Sequence, residues 1–257
     1  MNLNCDFHTH TNYSHGKGTI ADNANAAKEK GLKTIAITDH GFSHFVFGMK
    51  RRKLDAMKAE CVAAEKESGV KVLLGIESNL VGGKGEIDVK REDYDKLDII
   101  LAGVHKSVYV KTLKDYNRLI MQNIVCSGLK LKPSDKLIDF NTETYIKAIK
   151  NNPIDILTHL GYCCPCRAEE VAKAARDYGT YIEINTKKVH LTDEEWAKVI
   201  DTGVNFVIDS DAHSPDRVGD TALADELFKR VNFPLERIMN IDGRTPEFRF
   251  AEFKKKL

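Results

Sequence analysis

The chain has 257 residues, 42% of them hydrophobic, and its 39 Lys and Arg against 38 Asp and Glu give a formal net charge of +1. This length and composition suffice for a full core and match one (β/α) barrel of about 250 residues, with two small domains as the alternative. The chain therefore lacks the large excess of positive charge that is typical of proteins that bind nucleic acid or an anionic membrane, although a local basic patch is allowed.

No apolar stretch reaches the length of a transmembrane helix, and the N-terminus lacks a basic region followed by an apolar segment and a small-residue cleavage site. We therefore expect a soluble, cytoplasmic protein without a membrane partner. Its six cysteines are too few for a disulfide scaffold of this size, so that we expect reduced thiols.

Short apolar runs alternate with longer segments of helical period, which is typical of βα units around a parallel sheet. A first strand is predicted at 2–7, followed by a helix at 20–30 for which Gly31 is the expected residue beyond the C-cap. A second strand at 34–37 precedes an amphipathic helix at 50–68, which ends before Gly69.

The middle of the chain departs once from this rhythm, because the glycine-rich residues 82–85 predict a hairpin turn into 86–89. The apolar run at 97–103 is typical of a strand buried on both faces. The elements predicted here are strands at 70–76 and 97–103 and helices at 113–126 and 141–150.

The last part of the chain resumes the βα alternation. Thr192 and Glu195 form the pattern of a capping box, which predicts the start of a helix that ends at Gly203. The elements predicted here are strands at 154–157, 181–184 and 205–208, a helix at 168–178 before Gly179 and a helix at 216–230. We interpret the lysine tail at 254–256 as a solvated end.

Residues that bind transition metals follow six of the seven predicted strands. His8 and His10 lie two apart at the first strand, so that both side chains point to one face. The others are His40, Glu77, His105, His159, Asp211 and His213, with His15 in the first loop. Because parallel strands place their C-terminal ends at one rim of a barrel, we expect these side chains to converge.

Each of these histidines has an ordinary alternative role as a hydrogen-bonded or surface residue. As a set they favour metal binding, because unpaired buried imidazoles and carboxylates are too costly to gather in one barrel mouth. Imidazole with a few carboxylates suits Zn²⁺, Mn²⁺ or Fe²⁺ better than Mg²⁺ or Ca²⁺. Nine candidate ligands exceed the needs of one ion and predict two or three, if Glu77 bridges.

The ordered motifs resemble the PHP (polymerase and histidinol phosphatase) superfamily. The motifs are Asp6-Phe7-His8-Thr9-His10, Thr38-Asp39-His40-Gly41, Gly75-Ile76-Glu77, Ala102-Gly103-Val104-His105, Thr158-His159 and Ser210-Asp211-Ala212-His213. Gly85-Glu86-Ile87-Asp88 makes the chain most similar to small stand-alone bacterial members. The resemblance implies one domain over residues 1–257, an α/β fold of the distorted TIM-like (β/α)7 barrel type, and phosphatase activity.

The same resemblance implies a trinuclear centre, usually of Zn²⁺, with Mn²⁺ or Fe²⁺ as alternatives. One metal would be held by His8, His10, Glu77 and Asp211, a second by Glu77, His105 and His159, and a third by His15, His40 and His213. A metal-bridging hydroxide would then attack a small phosphomonoester, while the metals neutralise the phosphoryl oxygens.

Several residues near the motifs have two interpretations. Asp39 would protonate the leaving group or orient an imidazole, and Arg217 and Lys17 would each clamp a phosphate or carry a surface charge. We expect His44 to line the mouth and His190 to be a surface residue. Cys163, Cys164 and Cys166 follow His159 in a rim loop, and the absence of a second cysteine pair disfavours a separate structural zinc.

Three further functions stay open at this point. One is a phosphodiesterase or exonuclease acting on nucleotide ends, which the absence of an extended basic track disfavours. Another is a histidinol-phosphate phosphatase, and the last is a non-catalytic metal-binding module. The oligomeric state does not follow from the sequence.

Overall fold

In the computed structural model, which describes residues 1–257, all eight strands belong to one sheet. The strands are β1 (Cys5–Thr9), β2 (Thr34–Ile37), β3 (Lys71–Gly82), β4 (Glu86–Ile87), β5 (Ile99–Gly103), β6 (Ile156–Leu157), β7 (Tyr181–Asn185) and β8 (Phe206–Asp209). Seven run parallel in the order β1-β2-β3-β5-β6-β7-β8, and β4 pairs antiparallel with β3. The α/β fold is therefore a nearly closed, distorted TIM-like barrel of seven parallel strands, as predicted.

Helices cover the outside of the barrel, and none has the length and apolarity to cross a bilayer. They are α1 (Ile20–Glu29), α2 (Leu54–Ser68), α3 (Leu113–Asp115), α4 (Gln122–Gly128), α5 (Asp135–Asn151), α6 (Ala168–Tyr178), α7 (Asp193–Asp201), α8 (Ala222–Arg230) and α9 (Arg249–Lys254). A π-helical turn at Tyr116–Met121 joins α3 to α4. The capping box at Thr192 and Glu195 is present, as predicted.

Three predicted boundaries are wrong for local reasons. Helix α5 begins before residue 141 because the Ser134 side chain caps it by accepting from the N–H of Leu137. Helix α8 begins after residue 216 because Gly219 has a φ of +68°, which interrupts the helical backbone. Strand β3 extends beyond residue 76 because its second half pairs with β4 as well as with β5.

A single backbone bridge, between Thr9 and Ala212, and several side chains close the seam between β1 and β8. Asp209 Oδ1 accepts from the N–H of Phe7 at 2.8 Å, and Asp6 Oδ1 accepts from the N–H of Ser210 at 3.1 Å. The buried amide of Asn240 donates to the carbonyls of both Cys5 and Ile208. Both carboxylates are buried, and burial raises their pKa values.

The C-terminal segment closes the end of the barrel opposite the strand C-termini, and the prediction of a solvated lysine tail is wrong for Lys254. The Lys254 Nζ donates to the carbonyl of Leu97 at 2.6 Å, whereas Lys255 and Lys256 are exposed. Phe250 of α9 is fully buried, and its N–H donates to Asp155. Helix α9 is therefore part of the core.

We predict that Phe250→Ala lowers the free energy of unfolding by about 3–5 kcal/mol, because it leaves a cavity in the core. Urea denaturation followed by circular dichroism measures the change. Phe253→Ala on the same helix is the matched control, since this side chain is 39% exposed and should cost less than half as much. Equal losses in the two variants would contradict the buried position of α9.

Candidate metal centre

A register shift in β1 directs the first two histidines into the barrel. Phe7 packs in the interior apolar cluster with Leu101 and Val207, yet the next residue, His8, also faces the interior and lies 3.3 Å from Glu77. Neighbouring residues of a regular strand point to opposite faces. The irregular register between Asp6 and Thr9 allows this arrangement, as bulges near functional sites commonly do.

Four imidazoles lie within 3.3 Å of the carboxylate of Glu77, at the centre of β3, and a fifth, that of His10, lies 3.7 Å from it. Its Oε1 lies 2.6 Å from His159 Nε2, 3.1 Å from His105 Nε2 and 3.3 Å from His8 Nε2, and its Oε2 lies 2.7 Å from His40 Nδ1. Burial opposes ionisation, but the positive charges of His105, His8 and His40 outweigh it and hold the pKa of Glu77 well below its ordinary value. Glu77 is therefore a carboxylate at neutral pH.

Asp211 forms a second acidic contact at the end of β8. Its Oδ1 lies 3.3 Å from both His10 Nε2 and His213 Nδ1, and His10 Nε2 lies 3.1 Å from His8 Nε2. Asp211 and His159 have φ values of +48° and +32°, a left-handed region that non-glycine residues rarely adopt. Such strain is typical of functional positions, where neighbouring contacts maintain it.

Donor atoms of these residues form three overlapping clusters in which all atoms lie within 4.8 Å of one another. The clusters are His8, His10 and Asp211; His40, Glu77 and His105; and His10, His40 and His213. The ring of His15 lies 4.8 Å from His40 and 4.2 Å from His213, measured between centroids. All nine predicted ligands thus lie together, but their division among three ions stays a prediction.

A further layer of buried side chains fixes the orientation of the rings. Glu183 at β7 accepts from His8 Nδ1 at 2.6 Å and from the backbone N–H of His159 at 2.6 Å. The Asn79 Oδ1 accepts from His105 Nδ1 at 2.8 Å. Because carboxylate and amide oxygens only accept, a neutral ring of His8 or His105 carries its proton on Nδ1 and leaves on Nε2 the lone pair that a metal requires. Metal binding would displace the second proton of a charged ring.

Several buried donor atoms of the cluster have no hydrogen-bond partner. They are His10 Nδ1, His15 Nδ1, His40 Nδ1, His159 Nδ1 and Glu77 Oε2. His40 Nδ1 and Glu77 Oε2 are only 2.7 Å apart, yet their orientation does not form a hydrogen bond. Unpaired buried polar atoms are costly, and nitrogen and oxygen donors of this kind fit Zn²⁺, Mn²⁺ or Fe²⁺. The residues present therefore fit a metal centre.

A cavity of about 410 Å³ opens over the cluster and brings three lysines to it, Lys106, Lys187 and Lys188. The Lys187 Nζ lies 3.2 Å from Asp211 Oδ1 and 3.1 Å from His213 Nδ1. We did not predict Lys187 or the buried Glu183 from the sequence. The available signal was the sequence Glu-Ile-Asn at 183–185, which ends the one predicted strand to which we assigned no ligand.

The two residues for which we predicted catalytic roles do not line this cavity. Both oxygens of Asp39 accept hydrogen bonds from Thr11 or Ser14. Burial raises the pKa of Asp39 to about 6, although these hydrogen bonds oppose the increase. This geometry favours an anchor for the loop that carries His15. Arg217 pairs with Asp220, and Lys17 also lies away from the cavity. Catalytic roles for Asp39 and Arg217 stay predictions.

The remaining histidines and the cysteines are partly as predicted. His44 lines the cavity beside His40, at 5.1 Å between ring centroids. The prediction that His190 is a surface residue is wrong, because its ring packs on Tyr162 in the cavity wall. The cysteines join none of the donor clusters, and burial raises the pKa of Cys166 to about 12 and that of Cys164 well above its ordinary value.

Comparison with known proteins agrees with this geometry. A family model described as PHP domain matches residues 6–187. A probable phosphatase of Thermoanaerobacter sp. is 33% identical over an alignment of 274 positions, which covers 100% of this chain and 98% of the relative. A probable phosphatase of Caldanaerobacter subterraneus is 32% identical over 250 residues, which cover 93% and 88%.

Among solved structures, the chain is similar to the histidinol phosphate phosphatase from Lactococcus lactis, which was solved with zinc, L-histidinol and phosphate. The TM-score is 0.57 at 15% identity, and the match covers 95% of this chain and 99% of the other. At this low identity, the likeness shows that the two chains share a fold.

We predict that Glu183→Gln lowers the affinity for Zn²⁺ by about 10–100-fold, because His8 loses the carboxylate that orients its ring. Competition with a chromogenic chelator measures the affinity. Glu194→Gln, an exposed carboxylate on α7, is the control and should bind as the wild type does. An unchanged affinity in the Glu183 variant would show that this contact does not support a metal ligand.

Proposed function

The chain belongs to the PHP-domain family, and on that basis we propose that it is a metal-dependent phosphatase that hydrolyses a small phosphomonoester. The observation that carries the proposal is the convergence of buried imidazoles on Glu77 and Asp211 beneath a lysine-lined cavity. The relatives that are 32–33% identical are named as probable phosphatases and match nearly the whole chain. This supports the same reaction class, hydrolysis of a phosphoric ester.

We propose that the nine converging residues hold up to three divalent ions. Zn²⁺ is the first choice, because the Lactococcus enzyme was solved with zinc and because the donors are mainly imidazoles, while Mn²⁺ or Fe²⁺ also suit them. When bound, such ions would polarise the phosphoryl oxygens and lower the pKa of a water nucleophile. Glu77, with donors on both sides, is the residue best placed to be shared between two ions.

The protein side chains would bind and orient the phosphate. Glu183 and Asn79 keep Nε2 of His8 and of His105 directed at the centre. We propose that the Lys187 ammonium, on the cavity wall beside Asp211 and His213, pairs with a phosphate oxygen. Because these groups are already held in place by hydrogen bonds, little reorganisation is needed when charge develops on the phosphoryl group.

We further propose that residues 1–257 work as one domain, since the segment that contains Asn240 and Phe250 completes the barrel that carries the ligands. A cavity of about 410 Å³ favours a small substrate. Histidinol phosphate and nucleotide ends remain candidate substrates, and a substrate panel must include both.

We predict that the purified protein binds about two to three metal ions per chain and releases phosphate from small monoesters. A chelator and His8→Ala should each reduce this activity at least ~100-fold, because both remove the cluster that neutralises phosphate. Metal analysis and a phosphate-release panel are the measurements, with Glu194→Gln as the control. Metal-loaded protein that is inactive on the whole panel would favour a binding module instead.

We predict that Lys187→Gln lowers kcat/KM for the best substrate by about 10–100-fold while the metal content stays unchanged, because a charged hydrogen bond to phosphate is lost. Lys17→Gln is the matched control and should leave kcat/KM nearly unchanged, since Lys17 does not line the cavity. Equal effects of the two substitutions would rule out a specific role of Lys187.

A further inference from the structure

Two lysines at the cavity mouth, Lys106 and Lys188, have no part in the proposed hydrolysis. Both are exposed and line the cavity, and neither forms an ion pair within the chain. The carboxylates that line the cavity, Glu77 and Asp211, lie within the imidazole cluster. Two ammonium groups therefore lack a counter-charge beside a cavity that receives an anion.

A fixed turn after β7 presents Lys188. The Asn185 Oδ1 accepts from the backbone N–H groups of Lys187 at 3.0 Å and of Lys188 at 3.1 Å. The Asn185 Nδ2 donates to Glu183 Oε2 at 2.9 Å, which ties the turn to the buried layer beneath the histidines. Lys187 contacts Asp211, whereas the Lys188 side chain has no partner and lines the cavity.

Lys106 and an aromatic pair complete this part of the mouth. Lys106 directly follows His105, and its Nζ lies 6.0 Å from the centre of the Tyr162 ring. Tyr162 packs on His190 at 5.0 Å and on His159 at 5.2 Å, measured between ring centroids. Lys188 precedes His190 by two residues in the same loop, and both line the cavity.

We propose that Lys106, beside Tyr162, and Lys188, in the loop that carries His190, bind a second anionic group on the leaving-group side of the substrate. This inference rests on the proposed phosphatase function and narrows its substrate class to phosphomonoesters that carry a further carboxylate or phosphate. The cavity of about 410 Å³ has room for a leaving group beside the phosphate that the metal centre binds. Lysine ammonium groups suit either kind of anion.

The test compares 4-carboxyphenyl phosphate with 4-carbamoylphenyl phosphate, which have similar shapes but differ in one negative charge. We expect the wild-type kcat/KM to be about tenfold higher for the carboxyl compound, because two exposed ion pairs together stabilise its bound form by about that factor. The preference should decrease as the ionic strength rises, because exposed charges are screened. The double variant Lys106→Gln/Lys188→Gln should lose the preference, so that its kcat/KM values for the two compounds are equal.

The control is Lys66→Gln/Lys229→Gln, which removes two exposed lysines away from the cavity and should retain the preference. Equal wild-type rates on the two compounds would overturn the subsite and leave the phosphatase proposal standing. A preference that survives in the Lys106/Lys188 variant would overturn it as well. Inactivity on both compounds in a protein that hydrolyses other monoesters of the panel would overturn the subsite alone. Metal-loaded wild type that is inactive on both compounds and on the whole panel would overturn the phosphatase proposal, and the subsite with it.

Discussion

A buried carboxylate that must be neutralised, Glu77, is the constraint around which the upper half of the barrel is arranged. It lies in the strand that pairs with β2, β5 and the β4 hairpin, so that its backbone is fixed on every side. Imidazoles from β1 and from the loops after β2, β5 and β6 approach its two oxygens. Their positive charge, or that of metal ions, offsets the large cost of removing an ionised carboxylate from water.

The seven-stranded barrel and the convergence of the ligands follow from features that a sequence displays. Short apolar runs alternate with amphipathic segments, and the ends of parallel strands share one rim whatever the intervening loops do. The spacing of His8 and His10 predicts a shared direction, and their Nε2 atoms lie 3.1 Å apart although the strand is irregular between Asp6 and Thr9. Each such rule depends only on residues that are near one another in the chain.

Features that depend on distant contacts were not predictable in this way. The shifted register at Asp6–Thr9 depends on how β1 pairs with β2, and Glu183 is significant only because His8 of another strand lies beside it. The partial burial of His190 depends on Tyr162, which comes from a different loop. Likewise, Phe250 looks like part of a charged tail until the end of the barrel that it fills is known.

The seam between β1 and β8 connects the metal site to the integrity of the fold. Strand β1 carries His8 and leads into His10, and β8 leads into Asp211 and His213. Candidate ligands therefore lie on both sides of the one junction of the barrel that has a single backbone bridge instead of a continuous ladder. An ion bound by His10 and Asp211 would fasten the first barrel strand to the last. Occupancy of the centre and closure of the barrel would then be thermodynamically linked, so that part of the binding free energy contributes to the stability of the native state.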